Sequence, residues 1–400
     1  MPELSPQSSI LGSPMPLGGI YVHIPFCLRK CLYCDFYSTA DLSLKPAFLE
    51  ALLTEIAVSD PGPLVFDTIY FGGGTPSVLS PPEVARILGA LFSRLHFQEP
   101  VEITLEANPG TVALDSLREL RSAGVNRLNI GVQSFQDEFL ARLGRVHSAA
   151  QAQAALTAAR QAGFGEIGLD LIYGLPGQSR QAWLTDLGCA LAHQPEHLSC
   201  YMLTLEPGTP LAERHRLGRF RPAPEARVAE LFMATSEFLA TRGYLRYEIS
   251  NFARCGLAGC QDARVSRHNS KYWSHAPYLG FGPAAHSYLP PQRFWNHRDV
   301  TRYVEDLRAG RRPLAGEEVL DREQHVLETI MLGLRTAAGI DVMGFKRRFG
   351  VDFIEVFGAA ASDLTSQGLL SLTAERCAAT RRGMLYLDTV TAALTAAPFV

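Results

Sequence analysis

Ile20-Tyr21-Val22-His23-Ile24-Pro25-Phe26-Cys27-Leu28-Arg29-Lys30-Cys31-Leu32-Tyr33-Cys34 is the stretch on which the fold turns. Its first seven residues mix β-branched and aromatic side chains and read as a strand over 20–26. Three cysteines then fall within eight residues, as Cys27-x3-Cys31-x2-Cys34, where strand gives way to loop. Thiolates are soft ligands that suit iron–sulfur clusters and zinc. Structural zinc takes four ligands, commonly as two separated pairs. Three thiolates on a [4Fe–4S] cube leave one iron without a protein ligand. The spacing, the aromatic Tyr33 before the last cysteine and the strand-to-loop position favour the cluster. The competing reading is a zinc site completed by His23 or another distant ligand. An open iron can chelate the amino and carboxylate groups of S-adenosylmethionine (SAM), and an electron from the cluster then cleaves the sulfonium bond to a 5′-deoxyadenosyl radical.

Outward from that strand, short apolar runs alternate with longer amphipathic stretches. Strands are expected over 20–26, 68–72, 102–107, 127–132, 166–173 and 198–204, and helices over 46–58, 82–95, 114–123, 148–162, 180–191 and 225–242. Six strand–helix units in a row predict an α/β fold, a partial (β/α)6 barrel that stays open on one side. The unusual residues track the strand ends: Cys27 follows the first strand, Gly72-Gly73-Gly74-Thr75-Pro76 the second, Glu106 ends the third, Gln133 the fourth, Asp170 lies in the fifth and Thr204 ends the sixth. In barrel-like α/β folds the loops at these ends converge on the active face. The resulting division is a loose tail over 1–18, a barrel over 19–245, an irregular, aromatic-rich connecting region over 246–315 and a small, mostly helical C-terminal domain over 316–400. Within the last, helices are expected over 323–334, 341–349 and 352–367, and a two-strand wing over 369–371 and 383–387.

Composition excludes several classes. The 400 residues carry a net charge of −3, with 47% hydrophobic and 19% charged residues, so no basic field draws the chain onto nucleic acid or anionic lipid. No apolar run is long enough to span a membrane. The Ser- and Pro-rich start lacks the charged and apolar regions of a signal peptide. Eight cysteines in so long a chain are not a disulfide framework, and three crowded together suit metal ligation in a reducing compartment. A cytoplasmic protein is expected. Cys189 and Cys200 read as core fillers; Cys255-x4-Cys260 reads as a redox or metal pair, or as plain loop residues.

Four motifs carry a resemblance: residues 21–27 (Tyr-Val-His-Ile-Pro-Phe-Cys), 31–36 (Cys-Leu-Tyr-Cys-Asp-Phe), 71–77 (Phe-Gly-Gly-Gly-Thr-Pro-Ser) and 170–178 (Asp-Leu-Ile-Tyr-Gly-Leu-Pro-Gly-Gln). From Ile20 to the C-terminus the chain resembles the radical SAM enzymes related to oxygen-independent coproporphyrinogen III oxidase. The resemblance implies a SAM site of Tyr21, Tyr33, Gly73, Gly74, Thr75, Glu106, Gln133, Arg145, Asp170 and Thr204. Gly73 and Gly74 would let backbone amides approach the methionine moiety, with Thr75 adding a hydroxyl. Glu106 would accept from its ammonium, Arg145 would pair with its carboxylate, and Gln133, Asp170 and the backbone at Thr204 would meet the ribose and adenine. For each, the plainer reading is a buried polar group satisfied within the barrel rim, and for Arg145 a surface salt bridge.

Within that family the chain is more similar to the heme-chaperone branch than to the decarboxylating oxidase. The oxidase carries a fourth cysteine two residues after the third, where this sequence has Phe36, and a longer N-terminal extension than the 26 residues before Cys27. His268-Asn269-Ser270-Lys271-Tyr272-Trp273 matches the His-Asn-x-x-Tyr-Trp motif that the branch uses for heme. The resemblance implies heme as cargo, with His268 as axial ligand and Asn269, Tyr272 and Trp273 around the macrocycle; histidine is a common ligand of heme iron. The partners implied are an apo-hemoprotein acceptor, respiratory among others, and an electron donor, with visits to the membrane to meet such an acceptor. His286, in Tyr278-Leu-Gly-Phe-Gly-Pro-Ala-Ala-His286, is the second candidate heme ligand. The branch has a cysteine two residues before the motif histidine; Ser266 stands there, and Cys260 is the candidate replacement. The alternatives are a coproporphyrinogen III oxidase, and a radical enzyme for an unrelated substrate in which His268 is only structural.

Overall fold

The computed structural model describes residues 17–256 and 259–396. The expected tail over 1–18 therefore lies outside the described residues except for Leu17 and Gly18, and Gly18 already belongs to the first strand.

Six strands run parallel in chain order: β1 Gly18–Ile24, β2 Val65–Gly73, β3 His96–Ala107, β4 Arg127–Gln133, β5 Glu166–Tyr173 and β6 His197–Met202. β2 is buried at every residue after Val65, as a parallel strand covered on both faces must be. Helices Lys45–Val58, Pro81–Arg94, Leu114–Ser122, Ala149–Gln161 and Arg180–Ala192 connect the strands. Their starts are written locally: Ser148 and Gln151 form a reciprocal capping box, and the Ser80 amide donates to the Glu83 carboxylate at 2.7 Å. Trp183, fully buried, donates from Nε1 to Thr235 Oγ1 at 2.7 Å and ties Arg180–Ala192 to helix Glu225–Ala240. Two further short helices, Asp137–Leu143 and Pro210–Arg216, were not expected.

The sheet does not stop at six strands. Beyond β6 lie β7 Tyr244–Arg246 and β8 Asn251–Arg254, with β8 antiparallel to β6. Beyond β1 lie β9 Tyr278–Phe281, parallel to it, and then β10 His286–Leu289, β11 Gln292–Asn296 and β12 Leu314–Val319, all antiparallel. The region read as irregular thus extends the barrel sheet to 12 strands, with helix Arg267–Trp273 packed against β1 and β2.

The C-terminal part is mostly helical, as expected: Arg322–Arg335, Val342–Phe349 and Phe353–Ser366 surround a small sheet of β13 Ile340–Asp341, β14 Leu370–Leu372 and β15 Arg376–Ala379. The expected second wing strand over 383–387 is instead the end of helix Arg381–Leu385 and the start of Leu387–Leu394. Thr380 caps the first of these by accepting from the Gly383 amide at 3.0 Å, which turns the chain into a helix.

Candidate functional site

Inward-facing residues on alternate positions of β2 to β6 bound a cavity of about 930 Å3 at the C-terminal ends of the strands. Cys34 and Phe36 border it on one side and Met384–Asp388 on another, so the C-terminal helices complete its wall. Of the expected SAM residues, Tyr33, Gly73, Gly74, Thr75, Glu106, Gln133, Arg145, Asp170 and Thr204 line it. Tyr21 does not: its ring stacks on Tyr70 at 6.3 Å, and its hydroxyl meets His23 Nδ1 at 3.2 Å.

Cys27, Cys31 and Cys34 are all free thiols. Thr75 Oγ1 donates to Cys27 Sγ and Arg145 Nη1 to Cys31 Sγ, each at 3.4 Å. Burial pushes the Cys34 thiol up to about 11, against the Phe36 amide that pulls it down, and charges on Cys31 and Cys27 add to the rise. The three sulfurs therefore share one electrostatic neighbourhood with a cation and a hydroxyl beside them. Among the described residues, no three His, Cys, Asp or Glu side chains converge on a single ion. A cube makes no such demand, since each cysteine binds a different iron. For the zinc alternative, His23 has both ring nitrogens engaged, Nδ1 by Tyr21 and Nε2 by the Tyr37 carbonyl at 2.9 Å, and no more distant fourth ligand converges on the cysteines among the described residues. The donor set fits the cluster.

The cavity's polar atoms fit a hydroxyl-bearing ligand. Asp170 accepts from Asn129 Nδ2 at 2.8 Å through Oδ2, while its Oδ1 is buried without a partner. Thr104 Oγ1 and Arg145 Nε are also buried and unpartnered, and buried polar atoms in native folds are normally bonded. Burial, then the charge of Asp170, pushes the Glu106 carboxyl up to about 8, although Tyr70 donates to it at 2.8 Å and the Gly73 amide also bonds it. Arg145 commits Nη2 to the Gly131 carbonyl at 2.7 Å and Nη1 to Cys31, so the expected two-pronged grip on a carboxylate is reduced to Nε.

One expectation for the glycine turn changes, that of a free Gly74 amide. The Gly74 amide donates to Ile24 O at 2.8 Å and the Thr75 amide to Phe26 O at 2.7 Å, so neither is free for a methionine moiety. A Cβ on Gly74 would lie 2.6 Å from Phe26 O, and one on Gly73, at φ +108°, 2.7 Å from the His23 ring. Glycine is needed here because the turn lies directly against the β1 exit that carries Cys27.

The heme-motif residues are placed differently from one another. Asn269 borders the cavity. His268 is 1% exposed, with Nδ1 against Thr68 Oγ1 and Nε2 against the Tyr272 hydroxyl, each at 2.9 Å, and its ring stacks on Tyr70 at 5.1 Å. Burial and then the charge of Lys271 hold its pKa at about 3, so the ring is neutral but has no free nitrogen for a metal. Trp273 lies under the Arg335 guanidinium at 4.8 Å. Cys260 forms a disulfide with Cys255, which removes it as a replacement heme ligand. Ser266, buried, caps helix Arg267–Trp273. Sequence reasoning passed over Tyr70, Thr104 and Asn129; period-two alternation from Glu106 and Asp170, in register across β2 to β5, was the signal that could have found them.

A parallel barrel with three free thiols at the exit of its first strand defines a radical SAM protein, and the Radical SAM superfamily model matches residues 21–187. With that superfamily come a [4Fe–4S] cluster and SAM. A model of the HemN C-terminal domain matches residues 320–386. The structure titled coproporphyrinogen III oxidase (HemN) from Escherichia coli shares the fold, with a TM-score of 0.81 over 96% of this chain and 91% of that one, at 24% identity. The heme chaperone HemW of Lactococcus lactis subsp. lactis is 35% identical over 91% of this chain and 93% of its own length. That of Bacillus subtilis is 33% identical over 91% and 96%. The chain belongs to the HemW family. No helix among the described residues is long and apolar enough to cross a membrane.

Proposed function

We propose that this chain binds heme and delivers it to apo-hemoproteins, respiratory ones among them, from the cytoplasm with transient visits to the membrane surface. The observation that carries the reading is identity of about one third, over nine tenths of both chains, to proteins named heme chaperones. Phe36 supports it: where the resembling oxidase has a fourth cysteine, this chain presents an apolar ring that is 67% exposed at the cavity edge.

Cys27, Cys31 and Cys34 would hold the cluster, with Thr75 and Arg145 donating to its thiolates. Glu106 and Asp170 would receive the polar groups of SAM, Asp170 through its unpartnered Oδ1. Gln133, which adopts φ +66° at the end of β4, and Thr204 would border its ribose and adenine. Cluster and SAM supply one-electron chemistry when bound; here they would serve redox or gating of heme transfer, with electrons from a separate donor.

The test offers anaerobically prepared, cluster-loaded protein either heme or coproporphyrinogen III with SAM and a reductant. Retained heme with no protoporphyrinogen formed is expected. Catalytic turnover of coproporphyrinogen would overturn the proposal in favour of the oxidase.

A further inference from the structure

The cavity runs deeper than the SAM site. β4 contributes Arg127, Asn129, Gly131 and Gln133 to its wall, alternate residues from one end of the strand to the other. At about 3.3 Å per residue, Arg127 and Gln133 lie roughly 20 Å apart along the strand. The cysteines belong to the Gln133 end, where Arg145 bonds both Cys31 and the Gly131 carbonyl. SAM at the open iron would take that end, and Arg127 marks the other. Two elements from outside the six-stranded barrel close this far end. Helix Arg267–Trp273 brings Asn269, which follows His268 in the heme motif, and helix Arg322–Arg335 brings Arg335. The chain that follows fixes Arg335 in place: Thr336 bridges Glu248, and the Ala337 amide donates to the Tyr247 carbonyl at 3.0 Å.

Around Arg335 the donors outnumber the acceptors. Its guanidinium lies over the Trp273 ring at 4.8 Å, a contact that holds a cation without neutralising it. Arg335 Nε and Trp273 Nε1 are both buried, and neither has a hydrogen-bond partner among the described residues. Arg335 Nη2 stands 3.9 Å from Glu248 Oε2, beyond hydrogen-bond reach, and Glu248 Oε1 already accepts from the Ser250 amide at 2.8 Å. Arg127 differs: Glu102 at 3.9 Å and Glu166 at 3.7 Å balance its charge on the spot, although its Nη2 is also buried without a partner. Buried donors in native folds are normally bonded, so this set marks the place of an anionic oxygen that a ligand brings. Heme is a flat apolar ring with two carboxylates, and a guanidinium fork matches a carboxylate in shape and charge.

We propose that Arg335 receives a heme propionate at the end of the cavity remote from the cysteines, with Trp273 holding the guanidinium and Asn269 bordering the same end. This deepens the heme-carrier reading and rests on it. It gives the C-terminal helices a part in recognising the cargo, through its acid groups rather than its iron.

Heme and its dimethyl ester, which keeps the ring and the iron but has no free carboxylate, are titrated in parallel into the full-length, cluster-loaded protein and followed at the Soret band. The wild type is expected to favour the free acid. Arg335→Ala should bind the acid about 10- to 100-fold more weakly, the loss of a hydrogen bond to a charged group, and bind the ester as the wild type does, so that the preference disappears. Arg335→Lys, which keeps the charge without the fork, should retain part of it. Circular dichroism and cluster absorbance check that each variant folds. Equal losses for acid and ester in Arg335→Ala would show a packing role and overturn the proposal. Unchanged affinity for the acid, or a wild type that does not distinguish acid from ester, overturns it as well, and all three results leave heme carriage standing. A wild-type chain that binds neither compound overturns the carrier reading itself and this proposal with it.

Discussion

Gly74→Ala is the substitution with the sharpest structural consequence. Its added Cβ would stand 2.6 Å from Phe26 O and 3.0 Å from both Ile24 O and the Phe26 carbonyl carbon. All three are backbone atoms, so relief requires the β1 exit and the β2 turn to part. Inserting a carbon into a packed site costs about 1–3 kcal/mol. The same separation weakens the Gly74–Ile24 and Thr75–Phe26 bonds, each worth about 0.5–1.5 kcal/mol. A total of roughly 2–6 kcal/mol lies below most of the typical stability range of about 5–15 kcal/mol, so a folded protein is expected, but Phe26 drags Cys27 with it. The expected result is a lower denaturation midpoint in the cluster-free protein, and after anaerobic reconstitution a reduced 400 nm absorbance and iron content. Gly89→Ala is the control, since a Cβ there meets nothing within 4 Å in helix Pro81–Arg94 and gains up to about 1 kcal/mol of helix propensity. Wild-type stability and full cluster content in Gly74→Ala would refute the reasoning.

Glu55, half-buried and bonded by Tyr303, Gly282 and Asn296, has its pKa pushed up to about 7 by desolvation of its carboxyl. Between about pH 4.5 and 7 the folded state holds a proton that the unfolded state releases, so stability falls as pH rises through that window, by about 3 kcal/mol at 1.36 kcal/mol per pH unit. Urea midpoints across the window should show the fall in wild type and lack it in Glu55→Gln; parallel profiles contradict it. Asp170→Ala should weaken SAM binding by about 10- to 100-fold, the loss of a hydrogen bond to a charged group, while leaving heme affinity unchanged; calorimetric titration with SAM decides, and full affinity would remove Asp170 from the site. Trp183→Phe deletes the buried bond to Thr235 and should cost about 1–3 kcal/mol, seen as a lower urea midpoint, without altering reconstituted iron content.

The six parallel strands were legible because each is a run of apolar, β-branched residues followed by an amphipathic helix, a pattern set by local chemistry. The edge strands were not. Tyr244–Arg246, Asn251–Arg254 and Tyr278–Phe281 hold three or four residues each, too few for alternation to register, and the last two join the sheet through β6 and β1, far away in the chain. The cysteine triad announced its chemistry through spacing alone. Gly73 and Gly74 announced a turn, but not that β1 lies against it. His268 shows the limit of motif reading: its type suits a ligand, and only the placement of Thr68, 200 residues away, and Tyr272 shows both nitrogens engaged. The Cys255–Cys260 bond was likewise one of several readings of the same spacing.

Heme is the proposed cargo. Its most direct test is the heme content of the cluster-loaded, full-length protein after incubation with excess heme and removal of the unbound fraction by gel filtration, measured as the pyridine hemochrome. One heme retained per chain is the predicted result; a chain that emerges without heme contradicts it.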